Sequence, residues 1–222
     1  MKKLLAGLLA MVGLGGPATA EAPKMIDPNT ILFSMSTIAN DMPPLEKVSE
    51  VAPSDLIFHE DEWRQVEFFD RSQLDEVQAK LIDLKAFAAA HQQKVGWSKV
   101  YVRELTPAPV LRGKAALETL EGQLKVKAHR GAVIFTGASN VVGRVADGLS
   151  FPLGGGVALY GFISETGIPV LGAIVESGGD NQILVRAFQR LSASDHLILV
   201  DWRAQMVLTS IAEDGSIQTW QP

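Results

Sequence analysis

The sequence predicts an α+β fold: antiparallel strands and hairpins, with one long helix in the N-terminal half and one helix near the C-terminus. Three observations carry this. Apolar residues recur at three- and four-residue steps over one long run, Ser72 to His91. A second such run spans Asp180 to Leu191. Nearly all the rest is short apolar or alternating segments bounded by turn residues, and strands interspersed with single helices and hairpins indicate α+β.

The first element is an export signal over residues 1–20. Lys2 and Lys3 give a positive start, Leu4 to Leu14 an apolar stretch, and Gly15-Gly16-Pro17 a helix break. Ala18-Thr19-Ala20 offers the small residues a signal peptidase accepts, so cleavage is expected before Glu21. The apolar stretch is far shorter than the roughly 20 residues needed to span a bilayer. No later stretch is long and apolar enough to span, and no cysteine is present to carry a lipid anchor. The expected location is a bacterial periplasm, or else the extracellular space. Residues 21–222 are expected to form a single α+β domain, which could divide near 106–112.

Within that domain Thr30 to Ile38 and Glu62 to Phe69 read as strands. The long helix follows, with Ser72 as N-cap and Asp75 in the capping-box position. Leu74, Val77, Leu81, Leu84 and Ala88 form its apolar face, and Glu76 with Lys80 is an i,i+4 pair on the other. Gly96 stops the pattern. Trp97 to Arg103 alternates as a strand, and Thr106-Pro107-Ala108-Pro109 resists helix, because each proline pushes its predecessor extended. A short helix is expected over Lys114 to Glu121, ending at Gly122, then an edge strand from Leu124 to Lys127. Ala132 to Phe135 is a short apolar strand. Val157 to Ile163 and Ile168 to Val175 flank a turn at Ser164-Glu165-Thr166-Gly167. The helix capped by Asp180 leads to a meander: His196 to Trp202, Met206 to Ala212 and Ile217 to Trp220, with Asp214-Gly215 as its last turn. Glycines recur every five to seven residues from Gly131 to Gly178, a spacing that short strands and tight turns produce.

The chain has 222 residues, 47% apolar and 20% charged, a formal net charge of −5 and no cysteine. This excludes a disordered chain, a disulfide-stapled miniprotein and any cysteine-held metal. Loss of Lys2 and Lys3 with the signal takes the charge from −5 to −7. Nucleic acid is therefore not an expected partner, since no excess of cations exists to displace counterions from phosphates. The acids cluster early, thirteen against eight Lys and Arg between Asp41 and Glu104.

Three stretches carry parts of catalytic motifs. Ala132-Val133-Ile134-Phe135-Thr136-Gly137-Ala138-Ser139-Asn140-Val141-Val142-Gly143 resembles the cofactor loop of the short-chain dehydrogenases, where a strand runs through glycines into a helix. Val141 stands at the middle glycine, where the backbone must approach a pyrophosphate. The family's Tyr-x-x-x-Lys is missing too, with Leu105 four residues after Tyr101 and Ser164 four after Tyr160. Within the same stretch, Gly137-Ala138-Ser139-Asn140-Val141 lacks the last glycine of a nucleophile elbow. His59-Glu60-Asp61-Glu62-Trp63 begins like a zincin helix, with Trp63 in place of the second histidine. No cofactor and no metal site are expected. His59, Glu60, Asp61 and His196 remain the candidate catalytic residues. Asp201, Trp202 and Arg203 are the candidate binding residues, since Trp and Arg dominate protein interfaces and Asp201 can pair with Arg203.

These features point to an exported envelope protein that binds another envelope or secreted protein, as an accessory factor or as an inhibitor or immunity-type partner. Its acidity would suit a basic partner. The alternative is an envelope hydrolase built on the His/carboxylate candidates.

Overall fold

Leu197, Ile198, Leu199 and Val200 are all buried. Side chains alternate across a strand, so this strand must be covered on both faces and lie inside a sheet. The computed structural model describes residues 32–222 and places it there. The export signal expected at 1–20 and the start of the strand read at 30–38 lie outside the described residues.

In chain order the strands are β1 (Thr37–Ala39), β2 (Leu45–Glu46), β3 (Ile57–His59), β4 (Val66–Asp70), β5 (Tyr101–Arg103), β6 (Leu111–Arg112), β7 (His129–Arg130), β8 (Val133–Thr136), β9 (Asn140–Val145), β10 (Gly148–Gly154), β11 (Val157–Ser164), β12 (Gly167–Val175), β13 (Leu197–Asp201), β14 (Met206–Ile211) and β15 (Ile217–Trp220). The helices are α1 (Leu74–His91), α2 (Ala116–Leu124) and α3 (Asn181–Asp195). The fold is α+β, with the long helix in the N-terminal half, a helix near the C-terminus and mostly antiparallel sheets. The main sheet runs β15-β14-β13-β4-β12-β11-β10-β7, with β6 also paired to β12. A smaller sheet runs β2-β9-β8-β3, and β1 pairs with β5 in parallel.

Helices α2 and α3 cover one face of the main sheet, and α1 with the small sheet covers the other. Leu120 and Leu124 of α2, with Leu184, Phe188 and Leu191 of α3, pack on Phe68, Leu171, Leu197 and Leu199. On the opposite face, Val77, Leu81, Leu84 and Ala88 of α1 pack on Phe69, Ile198, Val200 and Val207. Beside α1, the small sheet lays Phe58, Ile134 and Val145 over Tyr160 and Val170. A seam is left where α1 and the small sheet meet, and the polar residues described below fill it.

Several elements differ from expectation. A 3-10 turn, Arg71–Gln73, precedes α1, and its cap is Asp70, whose carboxylate accepts from the Ser72 backbone N–H at 2.8 Å. The Ser72 hydroxyl is itself bonded to Asp70, so it caps nothing. Glu76 turns from Lys80 to accept the Thr106 N–H at 2.8 Å. Helix α2 runs on through Gly122 to Leu124, because Ala116, Leu120 and Leu124 share its buried face. The edge strand read at Leu124–Lys127 is accordingly replaced by a helix end, with Lys125 in the left-handed conformation. Helix α3 continues beyond Leu191 to Asp195.

The dehydrogenase-like stretch is β8, a turn at Gly137 (φ +56°) and β9. A hairpin stands where a cofactor loop needs a helix, so the resemblance does not extend to the structure. The glycine spacing also has causes besides turns. A Cβ on Gly161 would lie 2.1 Å from the Val170 carbonyl oxygen of the paired strand, and one on Gly172 would lie 2.3 Å from the Tyr160 ring. These glycines seat a neighbouring strand and an aromatic ring.

Asp55 joins the two sheets. Its carboxylate accepts from Arg144 of β9 at 2.7 Å, from Arg130 of β7 at 3.0 Å and from the Ala52 N–H at 2.8 Å. The Arg144 hydrogen bond above all, working against burial, lowers its pKa from 3.8 to about 2. A lowered carboxyl pKa gives stability that is present above the unfolded value and lost as pH falls through the folded one. After allowance for solvent screening this is worth about 1–2 kcal/mol. Asp55→Asn should therefore be less stable than the native chain at pH 6, with the gap closing between pH 4 and pH 2 in urea unfolding. A gap unchanged across that range would exclude this role.

Candidate functional site

The strand β4 carries a charge in an otherwise apolar run, Val66-Glu67-Phe68-Phe69, and Glu67 is only 2% exposed. A buried carboxylate needs partners. Its Oε1 accepts from the Trp202 indole at 2.8 Å and its Oε2 from the Arg64 Nε at 2.7 Å. Arg64 Nη1 reaches Asp41 at 2.7 Å. Arg103 donates to Thr37 Oγ1 at 3.0 Å and to the Arg64 carbonyl at 2.8 Å, and its guanidinium stacks 4.8 Å from the centre of the Trp202 ring. Two cations and two anions thus balance in the seam. Trp202 belongs to the α1 cluster and Tyr160, whose hydroxyl accepts the Arg64 N–H at 2.7 Å, to the small-sheet cluster.

Burial opposes the Arg64 charge, but Glu67 and then Asp41 outweigh it and hold its pKa above the ordinary arginine value. Arg103 has no carboxylate in direct contact among the described residues, and burial pushes its pKa down to about 10. It remains charged at neutral pH. Burial also raises the Tyr160 pKa, which keeps the phenol protonated.

Two clefts flank this cluster and share Asn40 and Asp41 as a common wall. The first, about 310 Å³, is lined by the acidic residues Asp41, Glu60 and Asp61 together with Ile38, Met42 and Trp63. The second, about 260 Å³, follows β4 from Arg64 past Glu67 and Phe69 to Gln73, beneath the segment Leu105 to Ala108. Two of the residues around them carry a buried polar atom without a partner among the described residues, Trp63 Nε1 and Gln73 Oε1, both closed off from solvent. Trp63 is 2% exposed and Gln73 is 7% exposed. The Gln73 amide nitrogen is engaged, donating to the Thr106 carbonyl at 3.0 Å.

Of the residues singled out in the sequence, His59, Glu60 and Asp61 lie together at the mouth of the first cleft or beside it. Glu60 is hydrogen-bonded by the Thr136 hydroxyl, and Asp61 Oδ2 lies 3.4 Å from His59 Nδ1. His59 Nδ1 also accepts the Asp61 backbone N–H at 3.2 Å, so in neutral His59 the proton sits on Nε2. A general base oriented by a carboxylate needs the opposite tautomer. His196 is not brought near this group. Leu197 pairs with Asp70, which places His196 beyond the far end of β4, exposed at the end of α3.

Asp201, Trp202 and Arg203 divide three ways. Asp201 accepts the Ala204 N–H at 2.9 Å, fully buried Trp202 bonds Glu67, and Arg203 pairs with Glu62 at 2.9 Å. Arg203 and Asp201 take separate partners because the turn after β13 carries Arg203 over the Glu60–Glu62 turn. Sequence reasoning missed Asp41, Arg64, Glu67, Gln73 and Arg103. Glu67 alone had a legible signal, as a lone acid in a run too apolar to face solvent.

Among the described residues no cluster of three or more His, Asp or Glu is placed to hold a metal ion, and no helix is long and apolar enough to cross a membrane. Comparison of the chain with protein-family models, with curated proteins and with solved structures found no match.

Proposed function

We propose that this protein is a cell-envelope binding protein that holds a basic side chain of a partner protein in the cleft formed by Asp41, Glu60, Asp61 and Trp63. The observation that carries this reading is that three acidic residues, Asp41, Glu60 and Asp61, line one cleft beside a tryptophan. Carboxylates and an indole both attract ammonium and guanidinium groups. Arg64 pairs with Glu67 and Asp41, so Glu60 and Asp61 are the carboxylates that would meet a ligand cation. The His59 tautomer favours binding over acid–base chemistry at the same place. The envelope location rests on the export signal at 1–20. An acidic chain also meets a basic partner faster, at a rate that falls with salt.

The test is titration of the native chain with N-acetyl-arginine amide, N-acetyl-lysine amide and N-acetyl-glutamine amide, followed by amide NMR shifts. The cationic amides should perturb the resonances of Glu60, Asp61 and Trp63. Changing Glu60 to Gln together with Asp61 to Asn should weaken their binding about tenfold, as loss of charge-assisted hydrogen bonds would. Equal binding of the glutamine amide would overturn the reading.

A further inference from the structure

We propose that His59 is a pH switch for the cation cleft, turning it against a basic side chain when the imidazole takes up its second ring proton. This rests on the reading of the cleft as a cation site and adds the regulation of that site.

The surroundings of one ring nitrogen carry the inference. His59 Nδ1 lies 3.2 Å from the Asp61 backbone nitrogen and 3.4 Å from the Asp61 carboxylate Oδ2. The first is a donor and the second an acceptor, and both belong to one residue. Neutral His59 accepts the Asp61 N–H through its Nδ1 lone pair and so caps the 3-10 turn Glu60–Glu62. Protonated His59 has no lone pair there. It must release the Asp61 N–H, and it can donate to Oδ2 instead. One proton thus replaces a cap with an ion pair.

That exchange falls on the cleft. Glu60 and Asp61 line it, while its third acid, Asp41, is paired with Arg64. An imidazolium bonded to Asp61 cancels one of those two charges and repels an incoming ammonium or guanidinium. The turn that presents both acids loses its N-terminal cap at the same time. The His59 and Asp61 side chains are 29% and 44% exposed, so both are open to water and its protons.

The other groups around His59 leave the choice to Asp61. Glu60 is hydrogen-bonded by Thr136, and Glu62 is paired with Arg203. The paired strand β8 sets the Phe135 ring nearly perpendicular to the imidazole, with ring centres 5.2 Å apart, and carries no titratable residue. Histidine is the side chain that ordinarily changes charge between pH 5 and 8. An exported chain, as proposed above, meets the pH of its surroundings.

The probe is N-acetyl-arginine amide, titrated into the native chain at pH 8 and at pH 5.5 and followed by amide NMR. Affinity should fall about tenfold at the lower pH, the worth of one charge-assisted hydrogen bond. Carboxylates as a class stay ionised there, whereas histidine is charged. In the ligand-free chain the Asp61 backbone amide resonance should move upfield as it loses its acceptor, with the same midpoint as the His59 ring protons. His59→Asn offers the turn an acceptor that does not titrate, and its affinities at the two pH values should agree within about twofold. If the amide binds equally at both pH values, or if His59→Asn keeps the tenfold fall, the switch is wrong and the cation site stands. An Asp61 amide that ignores the His59 titration also overturns the switch, and that readout needs no variant. If the amide binds at neither pH, the cation reading itself fails, and the switch with it.

Discussion

Glu67→Ala should cost the fold about 3–5 kcal/mol, the usual penalty for breaking a buried ion pair from one side. The reason lies in what stays behind. Arg64 would keep a desolvated guanidinium with only the outer carboxylate of Asp41, and the Trp202 indole N–H would lose its acceptor. Arg103 would lose the nearest balancing negative charge in the seam. For a chain of this size the thermal midpoint should fall by roughly 10 °C. Glu67→Gln keeps an acceptor for the indole but not the charge, so its cost should be smaller. Removing both charges, as Glu67→Leu with Arg64→Met, should cost less than the two single changes together, because an absent pair leaves nothing unpaired. Chemical denaturation of the four proteins gives the cycle. A Glu67→Ala change within about 1 kcal/mol of native would show that water reaches and solvates this carboxylate.

Trp202→Ala should be comparably damaging, about 3–5 kcal/mol, because it empties the centre of a close-packed layer. Trp202 is fully buried, sits edge-on to Phe69 with ring centres 6.1 Å apart, and lies under the Arg103 guanidinium. Its removal therefore opens a cavity, strands Glu67 Oε1 and unstacks Arg103 at once. Trp202→Phe separates these effects. It keeps most of the volume but deletes the N–H, and should cost about 1–3 kcal/mol. The same measurement separates a core Trp202 from the interface residue the sequence suggested. An interface tryptophan facing solvent would leave stability almost unchanged on truncation while weakening partner binding.

Much of the fold was legible because it depends on local periodicity. Val77, Leu81, Leu84 and Ala88 recur on one helical face, and that face is the one α1 buries. The Asp180 cap, the Ser164–Gly167 turn and the C-terminal meander are likewise set within a few residues of chain. The misread elements involve choices that local pattern leaves undecided. Leu124 fits an alternating strand and a helix face equally well, and burial with Leu120 in the shared core selected helix. Strands β9 and β10 were overlooked because Gly143 interrupts one and Pro152 the other, and Gly143 and Gly148 are there to admit neighbouring backbone.

The candidate site was less legible than the fold. His59, Glu60 and Asp61 were found because they are adjacent in the chain, and the cleft gathers Glu60 and Asp61 with Asp41. Arg64, Glu67, Arg103 and Trp202 meet only because β4 enters the sheet between β12 and β13, while β5 pairs with β1 alongside. Arg103 and Thr37 are 66 residues apart, and Trp202 and Glu67 are 135 apart. No spacing rule links residues at such separations.

By itself, then, the amino-acid sequence determined the α+β class, the faces of its two main helices, the β11–β12 hairpin, the C-terminal meander and the absence of cysteine chemistry. Each follows from composition or from contacts between near neighbours in the chain. Tertiary structure alone decided that a polar seam lies between α1 and the small sheet, that Trp202 is core, that His196 stands apart from His59, and that one cleft lies beside β4 and another beside the Glu60–Trp63 turn. Those outcomes depend on which strands pair across long separations. The desolvation of a charge, and hence its need for a partner, is set by everything packed around it and not by the residues beside it in the chain.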